Sequence, residues 1–423
     1  MRRIVMLVLI AAAALAAEPA RPAEEPVTFG DQISRVLQAH CQTCHRPEGG
    51  APFSLLTYQD AYLWRQQIHV ATQARRMPPW KPVAGHGDFA EVRRLSDTDL
   101  ALIARWVKAG APEGDPARLP PPRTFPPTWT LGQPGLVLEM DEAYTVAAGA
   151  GDVYRCFTLP TRYSYDLYLS AVEVIPGNKK IVHHVLTYLD TTGASLALDR
   201  ADPGPGYTCF GGPGFAATGG LGGWAPGAPP LVMPSDVGVF LPAGARVVAQ
   251  VHYNNRSERA ETDRTRIGLH FIRQPVDKRL RVVPVLNRGF VIPAGAARHE
   301  VRASWTVPLA WNLHTIGIAP HMHLLGREMK VTATYPDGTV RPLIYIDDWD
   351  FNWQGAYTFA RPIPLPGGTR IDVQAIYDNS ADNPRQPNRP PRPVGWGEGT
   401  TDEMCIAFLR VTVDSERLGA RPR

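Results

Sequence analysis

The chain is poor in cysteine, with five in 423 residues. Two of these belong to the stretch CQTCH, so Cys156, Cys209 and Cys405 can form at most one internal disulfide. A scaffold built on disulfides is excluded. Spacing does not decide the pair, and Cys156 with Cys209 is the expected one. No apolar run approaches the about 20 residues that a spanning helix needs, so no membrane span is expected in the mature protein. Charge of one sign is also scarce: 44 Lys+Arg against 40 Asp+Glu leave a net +4, with no basic stripe interleaved with aromatics. That balance argues against nucleic acid as a partner.

Turn-forming residues, by contrast, are abundant: Gly 38 and Pro 42, spread between short apolar runs. They point to β-structure with many turns, and the length implies two or three packed domains. The N-terminus, MRRIVMLVLIAAAALAAEPARP, has two arginines, a short apolar stretch from Ile4 to Leu15 and a small-residue site at 14–16. This reads as a secretory signal peptide over residues 1–17, with no cysteine close behind it for lipid attachment. A periplasmic or secreted location is expected.

CQTCH carries the CxxCH pattern of covalent haem attachment. Cys41 and Cys44, three positions apart on a helical turn, can form thioethers to the two vinyl groups. His45 then lies beneath the iron as its proximal ligand. For the sixth ligand, Met77 in RRMPPW is favoured, since a thioether raises the haem potential; His86 in AGHGDF competes. Further on, Ser96 with Asp99 at N3 opens a helix that Gly110 ends. Leu100, Ile103 and Val107 recur on one face of it. Residues 28–115 therefore resemble a small, all-α class I cytochrome c domain, followed by a proline-rich linker at 116–130.

Beyond the linker, strand signals dominate. LPAGARVVAQVHYNN at 241–255 aligns without gaps to LPGGTRIDVQAIYDN at 365–379. This duplication suggests two tandem antiparallel β-sandwich domains of jelly-roll type, 131–275 and 276–423. His252 in the first copy is Ile376 in the second. In IAPHMHLLG, His321 and His323 are two positions apart and share one face of an extended strand. Two neutral imidazoles side by side suit a metal. In KKIVHHVLTYLD, His183 and His184 are adjacent. They can act together only if a bulge or a twisted edge turns them to one side.

These motifs, with QVHY at 250–253 and DEMC at 402–405, occur in an order that resembles the copper type II, ascorbate-dependent monooxygenases from about 135 to 415. That family contains peptidylglycine α-hydroxylating and dopamine β-monooxygenases. The resemblance implies two jelly-roll-like sandwiches with one copper on each, facing across a cleft. By matching position, His183, His184 and His252 would hold an electron-transfer copper. His321, His323 and Met404 would hold the copper that activates oxygen, with His314 as a supporting group. Imidazoles with a soft thioether favour Cu(I), the state that binds dioxygen, and argue against zinc.

The family's substrate residues do not carry over. Ala319 stands where the peptide-amidating member has Arg, and Ile406 and Phe408 replace its Asn and Tyr. Amidation of glycine-extended peptides is therefore not expected. Cys156 and Cys405 match family cysteines, without evident partners. The expected function is an exported copper monooxygenase that hydroxylates a C–H bond of a small molecule with O2. One covalent haem and two coppers would serve it, with electrons from an upstream redox protein or small reductant. The rival expectation is a non-catalytic electron-transfer or copper-binding protein.

Overall fold

A computed structural model describes residues 25–419 except 48, 50, 126, 127, 227 and 228; the expected signal peptide at 1–17 lies outside the described residues. Five α-helices are present among these: α1 Ser34–His40, α2 Tyr58–Leu63, α3 Arg65–Gln73, α4 Asp97–Lys108 and α5 Ala194–Ala201. The helix read from Ser96 onward forms as expected. Ser96 and Asp99 make a reciprocal capping box. Gly110, at φ +85°, follows where the helix stops.

The expected organisation, an all-α cytochrome domain followed by two sandwiches, is not what the chain forms. It is mostly β-sheet with only five short helices, the longest 12 residues, and α5 lies within the β region. The segment 80–90, counted as part of the helical unit, is extended. Pro82 bridges to Ile346 and Phe89 to Phe359, and Phe89 and Trp80 pack into the core of the C-terminal sheets. The prolines and glycines of MPPWKPVAGHGDF explain the difference, because they remove helix and leave backbone free to pair elsewhere.

The sheets, six among the described residues, form several small sandwiches rather than two closed units. A six-stranded and a five-stranded sheet draw on residues 136–279, and two four-stranded sheets on 281–413. Each pair encloses its own apolar cluster, one around Leu169, Val185 and Val251, the other around Ile318, Val331 and Leu409. Ile316 crosses between them. A bulge in the Leu313–His321 strand skips it in both ladders, and it packs into the first cluster instead of its own.

The repeated segments are equivalent strands, Arg246–Asn254 and Arg370–Tyr377, each internal to its sheet. Their shared tyrosines, Tyr253 and Tyr377, are fully buried. Residues 118–123 of the proline-rich segment lie against α1: Arg35 donates to the Arg118 carbonyl and Gln38 to that of Pro121. No helix among the described residues is long and apolar enough to cross a membrane. Cys156 and Cys209 form a disulfide, the expected pair, which is consistent with an exported protein.

Candidate metal centre

The Val182–Asp190 strand runs antiparallel to Arg246–Asn254. His252 faces His184 while Tyr253 faces Val182, so His183 is an extra residue in the ladder. This is the bulge that adjacent histidines require to turn to one side. His183 Nδ1 comes within 3.2 Å of His184 Nδ1, and His252 Nδ1 within 3.4 Å of the same atom. Ligand atoms of all three lie within 4.8 Å of one another. Burial lowers the pKa of His183 to about 4 and that of His184 well below its usual value. Both therefore present neutral nitrogen lone pairs at pH 7.

His252 is fixed from outside this group. Its Nε2–H donates to Asp152 at 2.9 Å, which leaves Nδ1 as the lone-pair nitrogen facing His184. That hydrogen bond holds the Asp152 carboxyl below the usual carboxylate range, and Asn254 adds a second donor at 2.8 Å. On the opposite ladder His252 pairs with Tyr154, whose ring stacks on the imidazole at 4.2 Å and 5°. A histidine held through its second nitrogen by a carboxylate is the usual support for a metal ligand.

The second group stands at a sheet end. His321 closes the Leu313–His321 strand opposite Ile406 of Cys405–Val413. The ladder ends there, and Met404 directly precedes Cys405, the first residue of the facing strand. The two imidazole centroids are 5.1 Å apart. His321 Nδ1–H donates to Gln354 Oε1 at 2.5 Å, and His323 Nδ1–H to the Asp402 carbonyl at 3.1 Å. The lone pair of His321 is thereby left on Nε2, whereas His252 offers Nδ1. Burial lowers their pKa values to about 3 and about 4.

Glu403 ties this end together. Its buried carboxyl accepts from the backbone N–H groups of His323, Leu325 and Met404 at 2.9, 2.6 and 3.3 Å. Burial pushes its pKa up to about 8 against the pull of those donors. Tyr377, the repeat partner of Tyr253, donates to the Met404 carbonyl at 2.7 Å.

His314 does not join this group. It lies seven residues back along the strand, roughly 20 Å away at about 3.3 Å per residue, and pairs with Asp414 at 2.6 Å. The two groups are close together, with an aromatic ring between them instead of an open cleft. Phe351 stacks on His183 at 4.9 Å and 23° and meets His323 edge-on at 5.7 Å. Sequence reasoning missed Asp152, Gln354, Glu403 and Phe351. The one local signal was the aromatic density of DDWDFNWQ at 347–354.

In the N-terminal segment, His45 Nδ1–H donates to the Phe53 carbonyl at 3.3 Å, leaving Nε2 free, and burial lowers the imidazole pKa. Cys41 and Cys44 are free thiols on the turn closed by His45 N–H to the Cys41 carbonyl at 2.9 Å. Burial pushes the Cys41 thiol up to about 12. The residue types and the freed imidazole nitrogen suit thioether attachment and axial ligation. Met77 lines two cavities of about 520 and 380 Å³. His86 packs against Tyr345 at 5.2 Å.

No family model and no curated protein matches the chain. Among solved structures it is similar to PNGF-II, with a TM-score of 0.28 and 9% identity over 67% of this chain. It spans 66% of that protein's length, just under two thirds. It is also similar to an infectious bursal disease virus structure, Gx strain, with a TM-score of 0.20 and 11% identity over 68% of this chain and 74% of that one. A two-domain protein from Bacteroides fragilis gives a TM-score of 0.18 and 9% identity over 62% and 86%. Likenesses this distant carry no argument about fold or function.

Proposed function

We propose that the chain is an exported copper-dependent monooxygenase, holding one copper at His183, His184 and His252 and a second at His321, His323 and Met404. The observation that carries the reading is the convergence of three imidazoles at a bulge, beside a second histidine pair whose ring centroids are 5.1 Å apart. Three nitrogens suit a metal that cycles between Cu(I) and Cu(II), and a thioether beside two imidazoles favours Cu(I). One-electron redox at each group, and activation of dioxygen at the softer one, is what copper supplies when bound. The proposed overall reaction is R–H + O2 + 2 electrons + 2 H⁺ → R–OH + H2O.

The chain's own residues have definable tasks in this scheme. Asp152 and Gln354 orient His252 and His321, Asp402 orients His323, and Glu403 fixes the backbone on both sides of the second group. Phe351, itself buried, lies between the two groups against His183 and His323. Substrate identity stays open within small organic molecules. The electrons are proposed to come from a haem attached at Cys41 and Cys44 with His45 as axial ligand, supplied by an upstream redox protein or small reductant.

A second reading, a non-catalytic copper-binding or electron-transfer protein, draws on Phe351. A ring filling the space between the groups suits electron passage without a substrate. Oxygen uptake by the copper-loaded chain, with a chemical reductant and a panel of small C–H substrates, separates the two. Substrate-dependent uptake with a hydroxylated product supports the enzyme. Copper that cycles without consuming O2 supports the second reading.

A further inference from the structure

The Trp349–Gln354 loop touches both histidine groups at once. Phe351 meets His183 of the first and His323 of the second. Gln354 accepts from His321, and Trp349 Nε1–H donates to the His323 carbonyl at 3.1 Å. We propose that this loop makes the two groups one coupled unit, with Phe351 as the positioning residue that transmits metal occupancy from one to the other. The inference rests on the proposed reading of both groups as copper sites.

The loop is built to hold position. Trp349 is buried, and its N–H donates to the Arg327 carbonyl at 2.8 Å. Trp353 N–H returns to the Asp350 carbonyl at 2.9 Å, and Asn352 N–H donates to Asp350 Oδ1 at 3.0 Å. Gln354 Nε2–H donates to the Phe351 carbonyl at 3.0 Å. The Gln354 amide therefore links His321 directly to the residue that wedges His183 and His323. At either end the loop joins two edge strands, Val340–Ile346 and Tyr357–Leu365. The extended 82–90 segment bridges to Ile346 on one side and Phe359 on the other, clamping both.

Closely packed side chains do not yield independently. Turning His321 or His323 onto a metal through Nε2 fixes Gln354 and one edge of Phe351, and the stacked face of Phe351 then fixes His183. Among the described residues, the other rings that His183 meets are those of its own cluster partners, His184 and His252. Occupancy of the second group should therefore remove motion that the first must otherwise lose on binding, which is positive coupling.

The test measures Cu(I) affinity of the first group in the full chain by competition against a chromophoric chelator. Four proteins are compared: wild type, His321→Ala, Phe351→Ala and the double variant. His321→Ala removes the second copper but keeps both Phe351 contacts. It is expected to weaken first-group binding about fivefold, the lower end of typical coupling. In the Phe351→Ala background the same change should have no effect, and Phe351→Tyr should restore it. Phe351→Leu replaces the alanine variant if that one does not fold. Equal first-group affinity in wild type and His321→Ala would overturn the coupling and leave the copper reading intact. A fivefold loss that persists without the ring would show that Phe351 is not its carrier. No copper at the first group in wild type would overturn this inference and the proposed function together.

Discussion

The two histidine groups are assembled in opposite ways. The first lies inside one sheet, where neighbouring strands and a one-residue bulge bring the three imidazoles together, and the Trp349–Gln354 loop reaches them through Phe351 on His183. The second stands at a strand end and depends on the Trp349–Gln354 loop, Asp402 and the Glu403 carboxyl to hold it. The difference concerns preorganisation. A ligand set fixed by a ladder loses little freedom when it binds, whereas one held by loops must have its freedom removed by specific contacts.

The largest expected effect separates the groups outright. His252→Ala should lose one of two coppers per chain and leave the second, and His321→Ala should do the converse. Metal analysis by mass spectrometry checks both, and loss of both coppers from either variant would break the distinction. Next in size, Asp152→Asn removes the charge that orients His252. The first group should keep its copper but bind it about 10–100-fold more weakly, the usual cost of a lost ligand support. Chelator competition reads this, and the second group should change by no more than the coupled loss of about fivefold.

Gln354→Leu tests the dependence on loops. It should weaken the second group most, by about tenfold, with no more than the coupled loss of about fivefold at the first, while the melting temperature of the metal-free chain falls little. An equal loss at both groups would mean that the loop holds the sheet rather than His321. The smallest effect is expected at His314. His314→Ala breaks a half-exposed pair with Asp414, worth about 0–1 kcal/mol of stability, and neither copper should respond.

How much of this was legible in the sequence differs between the groups in the same way. The ladder-built group was readable: the HH pair demanded a bulge, the repeat aligned His252 to Ile376, and the structure holds both features. The alternation that pairs His321 with His323 was readable too. What supports them was not. Asp152 is 100 residues from His252, Gln354 is 33 from His321, and Glu403 is 80 from His323. Such contacts arise from strand order, which local patterns do not encode.

The N-terminal reading failed for a related reason. Well-punctuated helix signals around Ser96 were extended over a segment whose prolines and glycines pair it with strands more than 250 residues away. His314 was assigned by its match to a family histidine, and strand rise carries it to the other end of the sheet.

The most direct test of the account is X-ray absorption at the copper edge on the reduced, two-copper protein. One copper should show nitrogen ligands alone and the other two nitrogens with one sulfur, and the sulfur contribution should vanish in Met404→His while both coppers remain. A reduced wild-type protein with no Cu–S contribution, or one that fills both groups with zinc in preference to copper, would contradict it.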